Sequence, residues 1–125
     1  MRYLVSASLI LVGIIHLLPL SGLLGAERLA ALYGLDFSEP NLSILMRHRA
    51  VLFGLLGAFL VFAAFRPALQ PLAFIAAFVS VLSFLLLAWS SGGYNPQLGR
   101  VVMADIVALA ALVIGAAVYV LDANQ

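Results

Sequence analysis

Neither cysteine nor lysine occurs anywhere in the sequence. The first absence excludes disulfides, thiolate metal sites and thiol redox chemistry. The second leaves all side-chain positive charge to six arginines, which five acidic residues reduce to a net +1, so there is no basic face for nucleic acid. Charge of either sign is scarce, at 9% of 125 residues, while 66% are hydrophobic. A water-soluble domain of this size needs far more polar surface, because its exposed shell is large relative to its core.

What the chain has instead is long apolar runs: Tyr3 to Leu20, Ala50 to Phe65, Leu72 to Trp89 and Val101 to Leu121. Each approaches the roughly 20 residues that a helix needs to cross a hydrocarbon core. The expected architecture is an all-α integral membrane protein, a single domain over residues 1–125. It is an antiparallel up-down-up-down bundle of four transmembrane helices near 2–20, 39–65, 70–91 and 99–122. The first run follows Arg2 as a secretory leader would. Its length, its His16 and Pro19, and the lack of a small-x-small site in "SGLLGAE" favour a retained helix.

The long first connection contains "GAERLAALYGLD", read as a short interfacial helix near 25–34 that stops at Gly34. In "FSEPN", Ser38 or Asn41 is the expected cap, with Pro40 in the first turn. Small residues mark the expected helix seams: Ala50, Gly54 and Ala58; Ala73, Ala76, Ser80 and Ser83; Ala104, Ala108, Ala111 and Gly115. In lipid such faces allow close packing, within one chain or in a homo-oligomer.

Antiparallel threading brings His16, His48, Ser83 and Asp105 to one end of the bundle, each roughly 5 to 10 Å below the same interface. Arg47, Arg49, Trp89, Tyr94 and Arg100 fall there too, so one leaflet receives most of the polarity. Ionisable groups within a span are costly and normally face the bundle interior or a wet cavity. The expected ligand-binding set is therefore His16, Arg47, His48, Ser83, Trp89, Tyr94, Arg100 and Asp105. Arg47, in line with Ala50 and Gly54, is expected to turn inward and pair with Asp105; Arg49 is expected to reach the headgroups.

Such a pocket suits an anionic or amphipathic ligand, a lipid or a quinone, from the surrounding membrane. Two other readings compete. The charges serve only to lock helix packing in a structural or accessory subunit. Alternatively His16 and His48, with Asp105, Met46 or Met103, hold haem or a metal, although no ligand-spacing motif supports this. No nucleophile is identifiable, and the sequence leaves catalysis and cofactor open. Arg28, Arg47, Arg49 and Arg100 on the pocket side outnumber Arg2 and Arg66. Excluding the pocket arginines reverses the balance and favours cytoplasmic termini.

The stretch "AALYGLDFSEPNLSILMRHRAVLFGLLGAFLVFAAFRPALQPLAFIAAFVSVLSFLLLAW", continuing into "GGYNPQLGRVVMADIVAL", resembles a group of uncharacterised small bacterial four-helix inner-membrane proteins. More loosely it is similar to the DoxX-like membrane families. "LMRHRAVLFG" carries most of the resemblance. It implies a multi-pass protein of the bacterial inner membrane and no activity. Members of that group often bear the name phosphopantetheine adenylyltransferase. That enzyme is a soluble α/β nucleotidyltransferase with a His-x-Gly-His motif, and here the histidines are only His16 and His48, far apart.

Overall fold

The computed structural model describes residues 2–123, almost all of them helical and, among those described, without a strand. Helix α1 (Arg2–Leu17) runs on into a 3₁₀ segment (Leu18–Leu24). Helix α2 (Ala26–Tyr33) is short, and α3 (Pro40–Ala63), α4 (Gln70–Ser90) and α5 (Pro96–Ala123) are long. Four stretches are long and apolar enough to cross a membrane: Tyr3–Leu24, Pro40–Ala63, Pro67–Ser90 and Pro96–Asp122.

Proline fixes where these elements begin. All five prolines lie in the first turn of a helical segment, the position that best tolerates a missing N–H. Pro19 also explains why the first helix changes character. It cannot donate to the Ile15 carbonyl and its ring crowds that oxygen, so the α pattern stops at Leu17 and tightens into 3₁₀. The helical run thus reaches Leu24 rather than the expected residue 20.

The expected cap of α3 is also corrected. Pro40 takes the first helical position, which makes Glu39 the cap rather than Ser38 or Asn41. The Glu39 carboxylate accepts from the Asn41 N–H at 3.1 Å and the Leu42 N–H at 2.7 Å. These bonds hold its carboxyl below the ordinary value of 4.5.

Helix α1 packs along α3 on one side and α5 on the other, while α4 leans on α5 and touches α3 only lightly. Leu9, Leu60, Val81 and Leu112, one from each long helix, are fully buried at the centre. The pairing of α1 with α3 is set by backbone approach: a Cβ on Gly57 would lie 2.7 Å from the Gly13 carbonyl oxygen. Along the same seam Leu20 covers Gly54, and at the far end Ser6 donates to the Ala64 carbonyl. On α5 Gly115 faces Ser8, and Phe74 of α4 stacks on Tyr119.

The buried stripes differ in detail from those expected. On α3 they are Ala50, Gly54, Gly57 and Leu60, with Ala58 exposed. On α4 they are Ala73, Phe74, Ala77 and Val81, with Ser83 exposed. The α5 seam holds at Ala108 and Gly115. Outward, residues such as Leu55, Ile75, Val79 and Ile114 leave broad apolar surface exposed, a surface suited to hydrocarbon rather than water.

Two outcomes follow. Gly57→Ala forces α1 and α3 apart against backbone and should destabilise the detergent-solubilised protein by about 1–3 kcal/mol. Gly99→Ala meets only Tyr94 at 3.7 Å in a helix interior and should stabilise it by up to about 1 kcal/mol. Thermal unfolding of both variants distinguishes close packing from general glycine flexibility.

The Glu39 cap makes a pH-dependent contribution. A carboxyl held low in the folded state stabilises above its unfolded value and loses that contribution as pH falls through the folded value. Comparing wild type with Glu39→Gln, the stability gap should be constant above pH 4.5 and shrink below it. Asp36, held low by the Ser38 N–H, titrates nearby but cancels because both proteins carry it.

Candidate functional site

At the end of the bundle where α2 packs, α1, the 3₁₀ segment, α2, α3, α4 and α5 enclose a cavity of about 220 Å³. Its polar groups are His16, Tyr33, Arg49, Gln97, Arg100 and Asp105; its apolar walls include Phe53 and Phe84. A larger depression near Trp89 and Tyr94 is shallower, more open and carries no charged residue.

Tyr33 organises one wall. Gly34, at φ +70°, lets the chain reverse directly after it, a conformation that side chains with a Cβ rarely adopt. Asn95 then does two things: its Oδ1 caps α5 by accepting the Leu98 N–H at 2.8 Å, and its Nδ2 donates to the Tyr33 carbonyl at 2.7 Å. The buried Tyr33 ring packs edge-on against Phe37.

The Tyr33 hydroxyl accepts from Arg49 Nη1 at 2.8 Å. The guanidinium carbon sits 4.4 Å from the Phe53 ring centre and 5.4 Å from that of Tyr33. Arg49 is therefore cradled by two aromatic faces and one hydroxyl, an arrangement that suits a planar cation in apolar surroundings.

His16 is 3% exposed and fully engaged. Its Nδ1 lies 2.9 Å from the Val12 carbonyl, which can only accept, so Nδ1 carries the proton. Nε2, 2.9 Å from Ser80 Oγ, then accepts from that hydroxyl in the neutral ring. Neither nitrogen is left for a ligand. His16 pins α1 to α4 and forms part of the cavity wall.

Asp105 differs. The charge that acts on it is that of Arg49, yet it makes no hydrogen bond or ion pair within the described chain. No buried side-chain nitrogen or oxygen among the described residues lacks a partner, so the carboxyl oxygens are open to the cavity. The N–H groups that Arg49 does not give to Tyr33 are likewise accessible, and Arg49 lines this cavity and two neighbouring depressions. On α5, residues 97, 100, 101, 104 and 105 share one helical face, with Arg100 and Asp105 on its two flanks.

Of the eight expected site residues, His16, Arg100 and Asp105 line this cavity. Arg47 does not. It is exposed and gives its Nε to the Leu23 carbonyl at 2.9 Å, capping the end of the 3₁₀ segment. The seam on which Arg47 lies does face inward, but toward the 3₁₀ segment, where Leu20 covers Gly54 and Gly22 lies by Ala50. Arg49, on the opposite flank of Ala50, faces the cavity. Arg49 rather than Arg47 thus lines the cavity, and neither forms the expected ion pair with Asp105.

His48 is exposed and apart from the cavity, so the two histidines do not come together. Among the described residues no group of three His, Cys, Asp or Glu side chains is placed to hold a metal ion. Ser83 is exposed and donates to the Ser80 carbonyl; Trp89 and Tyr94 are exposed around the shallow depression.

Sequence reasoning missed Tyr33, Arg49, Phe53, Phe84 and Gln97. The Arg49–Phe53 spacing of four residues is a signal for a cation–π pair, and Gln97 follows from reading the Asp105 face backwards by helical period. No family model, curated protein or solved structure matches the chain.

Tyr33→Phe tests the wall. It keeps both rings by Arg49 and removes only the hydroxyl, so it should cost about 1 kcal/mol in thermal unfolding. Tyr33→Leu also removes the ring and should cost distinctly more.

Proposed function

We propose that this is a multi-pass membrane protein that binds an amphipathic molecule with an anionic group in the cavity at one end of its bundle. Four apolar helical stretches and their exposed apolar faces support the membrane setting. Paired residue numbers support an antiparallel, up-down-up-down arrangement. Against α1, α3 runs backwards from Ser6 with Ala64, through Gly13 with Gly57, to Leu20 with Gly54. Residues of α5 descend similarly, Gly115 by Ser8 and Asp105 in the cavity beside His16.

The observation that carries the reading is Arg49. It is positioned by an aromatic cradle and one hydroxyl, it lines an otherwise largely apolar cavity, and its remaining N–H groups have no hydrogen-bond partner among the described residues. Arginine presents planar donors that match carboxylate or phosphate, and Arg100 adds a second cation on the same cavity. The cavity volume, equivalent to about seven waters at roughly 30 Å³ each, suits a headgroup. Apolar chains are then left to the lipid-like exterior. The accessory-subunit reading explains His16, whose ring nitrogens are both engaged, and Arg47, which lies outside the cavity and caps the 3₁₀ segment, but leaves the free groups of Arg49 and Asp105 on the cavity unused.

Native mass spectrometry of the protein purified in mild detergent should show retained membrane amphiphile. Arg49→Gln should reduce occupancy at least tenfold, the scale of one charge-assisted contact. Arg47→Gln should leave occupancy intact and lower only thermal stability. Wild-type protein that retains and rebinds no amphiphile would favour the accessory role.

A further inference from the structure

We propose that the cavity selects a zwitterionic head, a phosphate joined through a short spacer to a primary ammonium, as in phosphatidylethanolamine. The inference rests on the amphiphile-binding reading and adds the identity of the head. Its ground is the placement of opposite unpaired charges on one small cavity. Arg49 and Arg100 offer N–H donors, while Asp105 offers two acceptor oxygens with no partner in the described chain.

Arg100 and Asp105 are five residues apart on α5, which places them about 140° apart around the axis and about 7.5 Å along it. Arg49 projects from α3 and acts on Asp105 through space without closing an ion pair. Donors and acceptor therefore stay separate while lining the same small volume, Arg100 from an exposed position.

A purely anionic head would satisfy the arginines and bring a second negative charge toward Asp105. Like charges brought together out of water disfavour the wrong partner strongly. A purely cationic head would meet the reverse problem at Arg49 and Arg100. A head carrying both signs satisfies all three, and ammonium N–H groups give Asp105 the donors that it lacks. Gln97, on the same helical face, can donate or accept beside them.

The chains also have a route. A second cavity of about 290 Å³, lined by Arg49, Leu52, Phe53, Leu56 and Ser80, lies where α3 and α4 pack only lightly. Arg49 and Phe53 are common to both cavities. A phosphate at Arg49 thus sits at the boundary between the chamber that holds Arg100 and Asp105 and a lateral opening lined mostly by apolar side chains. The ammonium points inward to Asp105 and the acyl chains pass outward between α3 and α4.

The test is a native mass spectrometry titration of delipidated wild-type protein with lipids of identical chains. Phosphatidylethanolamine should bind about tenfold tighter than phosphatidylglycerol, the scale of one charge-assisted hydrogen bond. The N,N-dimethyl and trimethyl heads should weaken stepwise as N–H donors are replaced by methyl groups. Asp105→Asn should bring the ethanolamine and glycerol lipids within about twofold of each other, largely by improving the glycerol lipid. The methylation series needs no variant and stands if Asp105→Asn fails to fold.

Free phosphoethanolamine should compete poorly; competition equal to that of the lipid would overturn the lipid source. Equal binding of both lipids to wild type, lost in Arg49→Gln, would overturn the zwitterion inference while leaving amphiphile binding in place. No binding of any lipid would overturn both.

Discussion

A guanidinium carried into an apolar bundle has to be given partners, and much of this structure is organised around supplying them to Arg49. Leaving such a cation unpartnered at the centre of a hydrocarbon span costs about 2.5–3.5 kcal/mol on insertion scales. Here two aromatic faces and the Tyr33 hydroxyl take up part of that cost. Tyr33 can do so only because Gly34 ends α2 immediately after it and Asn95 holds its carbonyl. Since Asn95 also caps α5, one small network fixes α2, α3 and α5 relative to one another. The cavity is the space which that network encloses.

The polar residues at this end divide by whether their bonding capacity is used. Both ring nitrogens of His16 are occupied, which makes it a strut between α1 and α4. Arg47 spends its Nε on the last turn of the 3₁₀ segment, where unpaired carbonyls attract a cation. Arg49 is partly used, and Asp105 makes no hydrogen bond or ion pair among the described residues. Burial alone would rank these residues differently: His16 is the most buried of them and has the least left to offer a ligand.

The long helices were legible because their apolar runs exceed anything a soluble core needs, and the prolines mark their starts. The polar end was legible by counting residues from the turns. Which side chains turn into the cavity was not. Arg47 and Arg49 flank Ala50 on opposite sides, so helical periodicity makes them near equivalents. The choice depends on what packs against each flank, the 3₁₀ segment against one and α2 with α5 against the other. Pro19 is visible in the sequence, but the extension of helix to Leu24 that presents Leu20 and Leu23 to α3 requires the tertiary packing. Tyr33 was hidden for a related reason: its helix, α2, is tied to the bundle by Asn95, 62 residues away.

At the opposite end of the bundle several polar side chains are bonded within the chain. There Ser6 and Gln70 both donate to the Ala64 carbonyl, at 2.7 and 3.3 Å. Ser8 donates to its own helix at Val5, and the surrounding core is aliphatic and aromatic. These bonds hold helices together, while Tyr119 and Asp122 line an open depression at the same end. At the α2 end, by contrast, satisfying Arg49 within the chain would require Asp105 to reach it, and the walls built by Tyr33, Phe53 and His16 keep a cavity between α3 and α5. The same residues that make Arg49 tolerable in an apolar bundle thus prevent it from being neutralised internally, and its remaining donors stay directed at whatever occupies the cavity.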